Sequence, residues 1–160
     1  MLNDVEIDLL IKSPKICADK QSIKWKTHEK SRKLEIVVTS IDGLHSFVMY
    51  LRQNEIHEND FSCGLRLVRS GQDDVTLARY NGSSHRHVNK IEKDEISFKC
   101  HIHLATERYW NIGRKIEDYA TSTVRYSNLS GAIQCMLVDY YISGLNVGQL
   151  IAQGGLLDEH

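Results

Sequence analysis

The 160 residues predict an α+β domain, a strongly twisted antiparallel sheet of about six strands with an N-terminal helix and a C-terminal helix packed on one face. Three observations lead there. Between residues 22 and 104, short runs of alternating apolar and polar residues follow one another with polar turns between them. The joins are too short for crossover helices, which parallel strands would need. Near the C-terminus a single helical stripe stands apart, formed by Leu129, Ala132, Ile133, Met136, Leu137 and Tyr140.

In chain order, Asn3 or Asp4 can cap a first helix on which Val5, Leu9 and Leu10 recur at helical spacing, and Pro14 ends it. SIKWKT reads as a strand through Ile23 and Trp25, and KLEIVVTS as a second. Asp42-Gly43 then signals a hairpin turn into HSFVMYLRQ, whose Phe47, Met49 and Leu51 share a face. FSCGLRLVR and VTLARY alternate in the same way on either side of SGQDD. From Ile96 to Leu104 the alternation is strict, and this run forms the last strand. WNIGRKIEDYATSTVRYSN has no period and is expected to be irregular, with Gly113 allowing a bend. The C-terminal helix should begin at Ser127 or Asn128 and end at Gly144. Residues 1–160 make one domain, and 146–160 are expected to be a short helix fraying into a tail.

Composition narrows the class. With 41% apolar and 26% charged residues the chain can build a sizeable core. It contains no run of eighteen apolar residues and opens on acidic residues, so a soluble, cytoplasmic protein with no membrane partner is expected. Cys17, Cys63, Cys100 and Cys135 are widely spaced with no Cys-X-X-Cys, the pattern of reduced core thiols. Net charge is −1, yet ten basic residues face six acidic ones between Arg66 and Lys115. A locally positive region favours an anionic ligand such as a phosphate ester.

Four of the eight histidines lie in that region as two His-X-His pairs, His85/His87 and His101/His103. Side chains two apart on a strand share a face, so His101 and His103 should project together, opposite the stripe of Phe98 and Ile102. They are expected to look outward, so that their removal spares folding. The intervening VNKIEKDE is polar enough to reverse the chain and bring all four rings to one face. His28, His45, His57 and His160 are expected at the surface.

Three chemistries suit such a cluster. In metal-independent phosphodiester cleavage one imidazole takes a proton from the attacking hydroxyl and another protonates the leaving oxygen. His85, His87, His101, His103 and Glu107 are then the catalytic candidates. Arg79, Arg86, Lys99 and Arg108 would hold the phosphate, and Tyr80 and Tyr109 would stack on bases. The substrate would be an RNA or a nucleotide phosphate, with no cofactor. Alternatively, the same basic face binds a nucleic acid or a protein without turnover. In the third reading a divalent metal sits among the four histidines, with Glu107 or a water completing the shell. No Gly-X-Ser-X-Gly frame surrounds Ser130, and no Gly-Lys-Ser/Thr follows Gly82, so neither a nucleophile elbow nor a phosphate loop is present.

The core Arg79-Tyr80-Asn81-Gly82, followed by His85-X-His87 and by the run from His101 to Tyr109, resembles a family of small uncharacterised bacterial and phage proteins. In that family an Arg-Tyr-Asn-Gly turn precedes a His-hydrophobic-His strand, and the likeness includes NDVEIDLLIKSPK and LRQN. The resemblance implies no catalytic assignment. Such proteins are often encoded beside defence or toxin-antitoxin genes, which implies a toxin-like ribonuclease or an anti-defence binder, with an antitoxin-like protein as partner.

Overall fold

The computed structural model describes residues 1–19 and 23–153. The first helix, α1 (Asp4–Lys12), starts where the sequence places it. Asn3 accepts from the Glu6 amide at 2.8 Å, and the Glu6 carboxylate accepts from the Asn3 amide at 3.0 Å, so two orphan donors are satisfied at once. The packed stripe, however, is Ile7 and Leu10, while Val5 and Leu9 stay exposed. A helix of three turns on a surface can turn only one narrow stripe inward, and Ile7, Leu10 and Ile11 form the continuous one.

Lys15 follows Pro14 and is fully buried. Its ammonium donates to the carbonyls of Ile11, Ser13 and Tyr140 at 2.8–2.9 Å, capping the C-terminal ends of two helices at once. Burial lowers its pKa to about 8, so the cap is still charged at neutral pH.

Among the described residues nine strands join in one sheet: β1 (Lys15–Ile16), β2 (Lys26–His28), β3 (Ser31–Ser40), β4 (Ser46–Asn54), β5 (Phe61–Leu67), β6 (Val75–Asn81), β9 (His101–Leu104), β10 (Tyr119–Ser122) and β11 (Ile142–Ser143). Their order is β10-β9-β6-β5-β4-β3-β1-β11, with β2 pairing β3 off this path. Neighbours are antiparallel except β1 and β11, which makes the sheet mixed. This corrects the expectation of about six antiparallel strands. The additional members are two to four residues long, too short to show a period.

The run from Ile96 to Leu104 is likewise not one strand. Phe98, at φ 51°, breaks it into β8 (Glu95–Ser97), which among the described residues pairs with β7 (Arg86–Val88) alone, and β9. The supposedly irregular segment from Trp110 begins in the last residues of a short helix, α2 (Glu107–Asn111), and contains the edge strand β10.

One face of the sheet carries the core. Leu34, Ile36 and Val38 of β3, Phe47, Met49 and Leu51 of β4, and Cys63 and Leu65 of β5 are all at most 1% exposed. Helix α3 (Leu129–Asp139) covers β5 and β6 with its predicted stripe, capped by Asn128. Met136 is fully buried with its sulfur 3.5 Å from that of Cys63, so Met136→Ala is expected to cost about 2–5 kcal/mol in urea denaturation. A loss within error would mean that the helix does not pack there.

A last helix, α4 (Val147–Gln153), buries Leu150, whose carbonyl accepts from the Trp25 indole at 2.9 Å. Of SIKWKT, Ser22 lies outside the described residues and Ile23, Lys24 and Trp25 form no strand, which begins only at Lys26. The tail with His160 lies outside the described residues, while His28, His45 and His57 are exposed as expected. No disulfide joins the four cysteines among the described residues; Cys17 and Cys63 are buried and the others partly so. No described helix is long and apolar enough to cross a membrane.

Candidate functional site: a histidine cluster closing a polar sheet face

Opposite α3 the sheet presents polar residues in two cross-strand rows. Lys33, Arg52, Ser62, Asn81, His101 and Ser122 each stand directly opposite the next, from β3 to β10. Beside them run Glu35, Tyr50, Gly64, Arg79, His103 and Ala120. Directly opposed residues share a face, so the register alone brings these groups together. Gly64 is required in its row because the Tyr50 ring lies across it, where a Cβ would overlap the ring.

The β7–β8 hairpin folds over the histidine end of this face. Its latch is Asn89, fully buried, whose amide donates to Ala120 O at 2.8 Å while its oxygen accepts from Ala120 N at 2.9 Å. The carboxamide thus satisfies both outer backbone groups of an edge residue, as a further strand would. At the tip, the Tyr109 hydroxyl accepts from Ile91 N at 3.1 Å and donates to Glu92 at 2.8 Å, and Arg108 pairs with Glu92 at 2.7 Å.

Folding back brings the four imidazoles together. Ring centroids are 4.7 Å apart for His87 and His103, 5.1 Å for His101 and His103, 5.1 Å for His85 and His101, and 6.0 Å for the stacked His87 and His101. His101 and His103 do face away from Ile102, as the alternation implies, but they do not look outward. Both are at most 2% exposed, because the hairpin, not solvent, covers that face. Their removal therefore cannot be expected to spare folding. His85 is exposed and His87 half-buried.

Hydrogen bonds fix the tautomers. His101 Nδ1 lies 2.9 Å from Lys99 O and His103 Nδ1 lies 2.9 Å from Glu117 O. A carbonyl only accepts, so both Nδ1 atoms carry the proton and both Nε2 atoms keep a lone pair. Asn81 Nδ2 stands 3.5 Å from His101 Nε2 and is oriented by Ser62 donating to its oxygen. His87 Nε2 donates to Asn89 Oδ1 at 3.0 Å, since that oxygen already accepts from a backbone amide.

Burial depresses the basicity of the inner rings, with like charges nearby adding to it: His101 falls to about 4 and His103 to about 2, the backbone bonds only partly opposing the shift. His85 is also lowered, mainly by burial, with Asp60 pulling the other way. The inner pair are therefore neutral acceptors at neutral pH. As they stand, no three His, Cys, Asp or Glu side chains among the described residues are placed to hold a metal ion.

Of the other residues expected at the site, Arg79 is there, opposite His103 and 3.7 Å from Glu117. Tyr80 is not, because Arg79 and His103 face the polar side and Tyr80 therefore points into the core. It is 2% exposed, donates to Asp139 and stacks on Tyr126. Tyr109, also buried, anchors the hairpin, so neither tyrosine can stack on a base. Arg108 serves the same anchor and lies over the Tyr119 ring at 4.5 Å. Glu107 accepts from the Asp4 amide, and its own amide donates to the Asp4 carboxylate, tying α2 to α1. Arg86 lies on the hairpin's outer side with Glu95 and Phe98, and Lys99 is exposed, contributing its carbonyl to His101. Sequence reasoning missed Asn81, Asn89, Glu117, Tyr50 and Arg52. Asn81 and Asn89 each stand two residues from a candidate, at strand spacing, and could have been found that way.

The chain belongs to a family of unknown function, DUF6978, whose model matches residues 2–136. That span contains every residue of the two polar rows and of the hairpin. No curated protein and no solved structure matches the chain.

Proposed function

We propose that this member of the DUF6978 family is a histidine-based phosphodiesterase acting on a nucleotide or nucleic acid. The observation that carries the reading is the register between β6 and β9, where Arg79 stands opposite His103 and Asn81 opposite His101. A guanidinium and an amide donor are thus fixed beside two imidazoles whose Nε2 atoms can accept a proton. A phosphate held by Arg79 and Asn81 would meet donors for its oxygens and an acceptor for the proton of the attacking hydroxyl or water. His85, exposed at the edge of the cluster, is the ring able to exchange protons with water and to protonate the leaving oxygen. An anionic phosphate raises the pKa of imidazoles beside it, which counters the desolvation that makes the inner pair weak bases.

Purified protein incubated with mixed RNA, DNA and cyclic nucleotides tests this directly. His85→Ala is expected to lower turnover by roughly two to four orders of magnitude with the fold intact, since His85 is exposed. Full activity in a chain with Gln at all four positions would refute the imidazole mechanism. The unprotonated Nε2 atoms of His101 and His103 also favour a second reading, a bound transition metal, because metal-ligating histidines commonly donate their other ring N–H to a carbonyl. Loss of activity with chelator and its recovery with added ion would establish that reading instead. Ligand binding without turnover would mark a non-catalytic binding module.

A further inference from the structure

We infer that the ligand of this site is a small nucleotide diester of about mononucleotide size and not a nucleic-acid strand, with its phosphate at Arg79 and Asn81 and its planar group against Tyr50. The inference rests on the phosphodiesterase reading and narrows its substrate. A cavity of 410 Å³ lies on the polar face, lined by Lys33, Tyr50, Arg52, Arg66, Arg79 and Asn81 among others. Its volume is near the lower end of those that hold compact small-molecule ligands.

The cavity abuts the histidine cluster at Asn81, which lines the cavity and reaches His101. At that end the face is roofed by the latched hairpin, so a strand could not run on across His101 and His103.

Charge argues the same way. Arg52 pairs with Asp60 at 2.6 Å, Arg66 with Asp74 at 3.4 Å and with Glu35 at 3.5 Å, and Arg79 with Glu117 at 3.7 Å. Successive phosphates of a strand leaving the cavity would meet these carboxylates, where a strand binder needs a continuous track of cations. A single phosphate needs only one good clamp. The Arg79 pair is the longest of those at the cavity, which leaves that guanidinium best able to turn to a phosphate.

Tyr50 supplies the planar contact. Its ring lies across Gly64, with the Arg66 guanidinium 5.2 Å from the ring centre. A purine or pyrimidine ring entering there could stack on the tyrosine or the guanidinium.

The decisive measurement is calorimetric binding, with parallel cleavage assays, of 2′,3′- and 3′,5′-cyclic mononucleotides and of a long single-stranded RNA. The cyclic nucleotides are expected to bind one to one and to lose about tenfold to hundredfold affinity on Arg79→Ala. Gly64→Val should abolish the same binding by displacing Tyr50. If that variant fails to fold, Tyr50→Leu should show the loss. RNA is expected to bind no more tightly than a mononucleotide, without a steep dependence on salt. RNA that is bound tightly and cleaved while the cyclic nucleotides are ignored would overturn the inference and leave the phosphodiesterase reading standing. Cyclic nucleotides bound but not cleaved would support the ligand class and overturn the catalytic reading. Binding and cleavage of neither would overturn both.

Discussion

Lowering the pH from 6.5 to 5 is expected to destabilise the protein by about 2 kcal/mol for each of the two inner histidines. In the folded chain His101 stays neutral down to about pH 4 and His103 to about 2, because both are desolvated under the hairpin. In the unfolded chain each ring takes up its proton near the ordinary value of 6.5. Over this window the unfolded state binds more protons than the folded state, so stability present above pH 6.5 is lost as pH falls. Each pH unit below that value costs about 1.4 kcal/mol per ring. The window lies above the range in which Asp60, Asp139 and Glu92 titrate, whose lowered values would add their own losses only at more acidic pH. Urea denaturation at closely spaced pH values measures the slope, and NMR of the ring protons should show His101 and His103 not titrating between pH 7 and 5. A flat stability profile over the window, or ordinary titration of either ring, would refute the account. Gln at both positions should remove most of the slope.

Asn89→Ala is expected to cost about 2–4 kcal/mol, although Asn89 belongs to a surface hairpin. The side chain is fully buried, and its loss strips partners from Ala120 N, Ala120 O, His87 Nε2 and Asp94. Leaving a buried backbone donor or acceptor unpaired costs roughly 1–3 kcal/mol, unless the hairpin lifts and water enters. In either case the Ala120 amide should lose hydrogen-exchange protection more than amides in β4 and β5 do. Asn89→Asp keeps the acceptor for Ala120 N but sets a carboxylate against the Ala120 carbonyl and Asp94. It should therefore fail to rescue. An Asn89→Ala protein with unchanged stability and unchanged exchange at Ala120 would show that the latch carries no weight.

The central sheet was legible because β3 to β6 are long enough, seven to ten residues, for alternation to register and their turns are short. The helix stripe on α3 was legible for the same reason, being eleven residues of one period. What escaped was short or non-local. β1 and β11 are two residues each and are defined only by each other and by β3. The meeting of the two His-X-His pairs follows from a reversal that the polar run after His87 suggested. The burial of that meeting does not follow, because period-2 alternation separates two faces without saying whether a third element covers the polar one. Phe98 shows the same limit from the other side, since it continues the apolar alternation yet sits at a left-handed break and is 58% exposed. The residues that hold the cluster, Asn81, Asn89 and the Glu117 carbonyl, are amides and backbone, types without a signature of their own.

The parallel pairing of β1 with β11 sets an order on how the chain can acquire its structure. Lys15 stands opposite Ile142, and the Lys15 ammonium finds one of its three carbonyl partners only at Tyr140. During synthesis the meander from β3 to β6 can form from neighbouring segments, whose contacts close short loops. The segment at residue 15 can pair with β3 and bond the carbonyls of Ile11 and Ser13 early, but its parallel partner β11 and the third acceptor of its lysine, Tyr140 O, emerge only after more than 120 further residues. Slow, late docking of β11 and the α3 end onto β1 is therefore the expected kinetic signature, separate from the earlier collapse of the central strands.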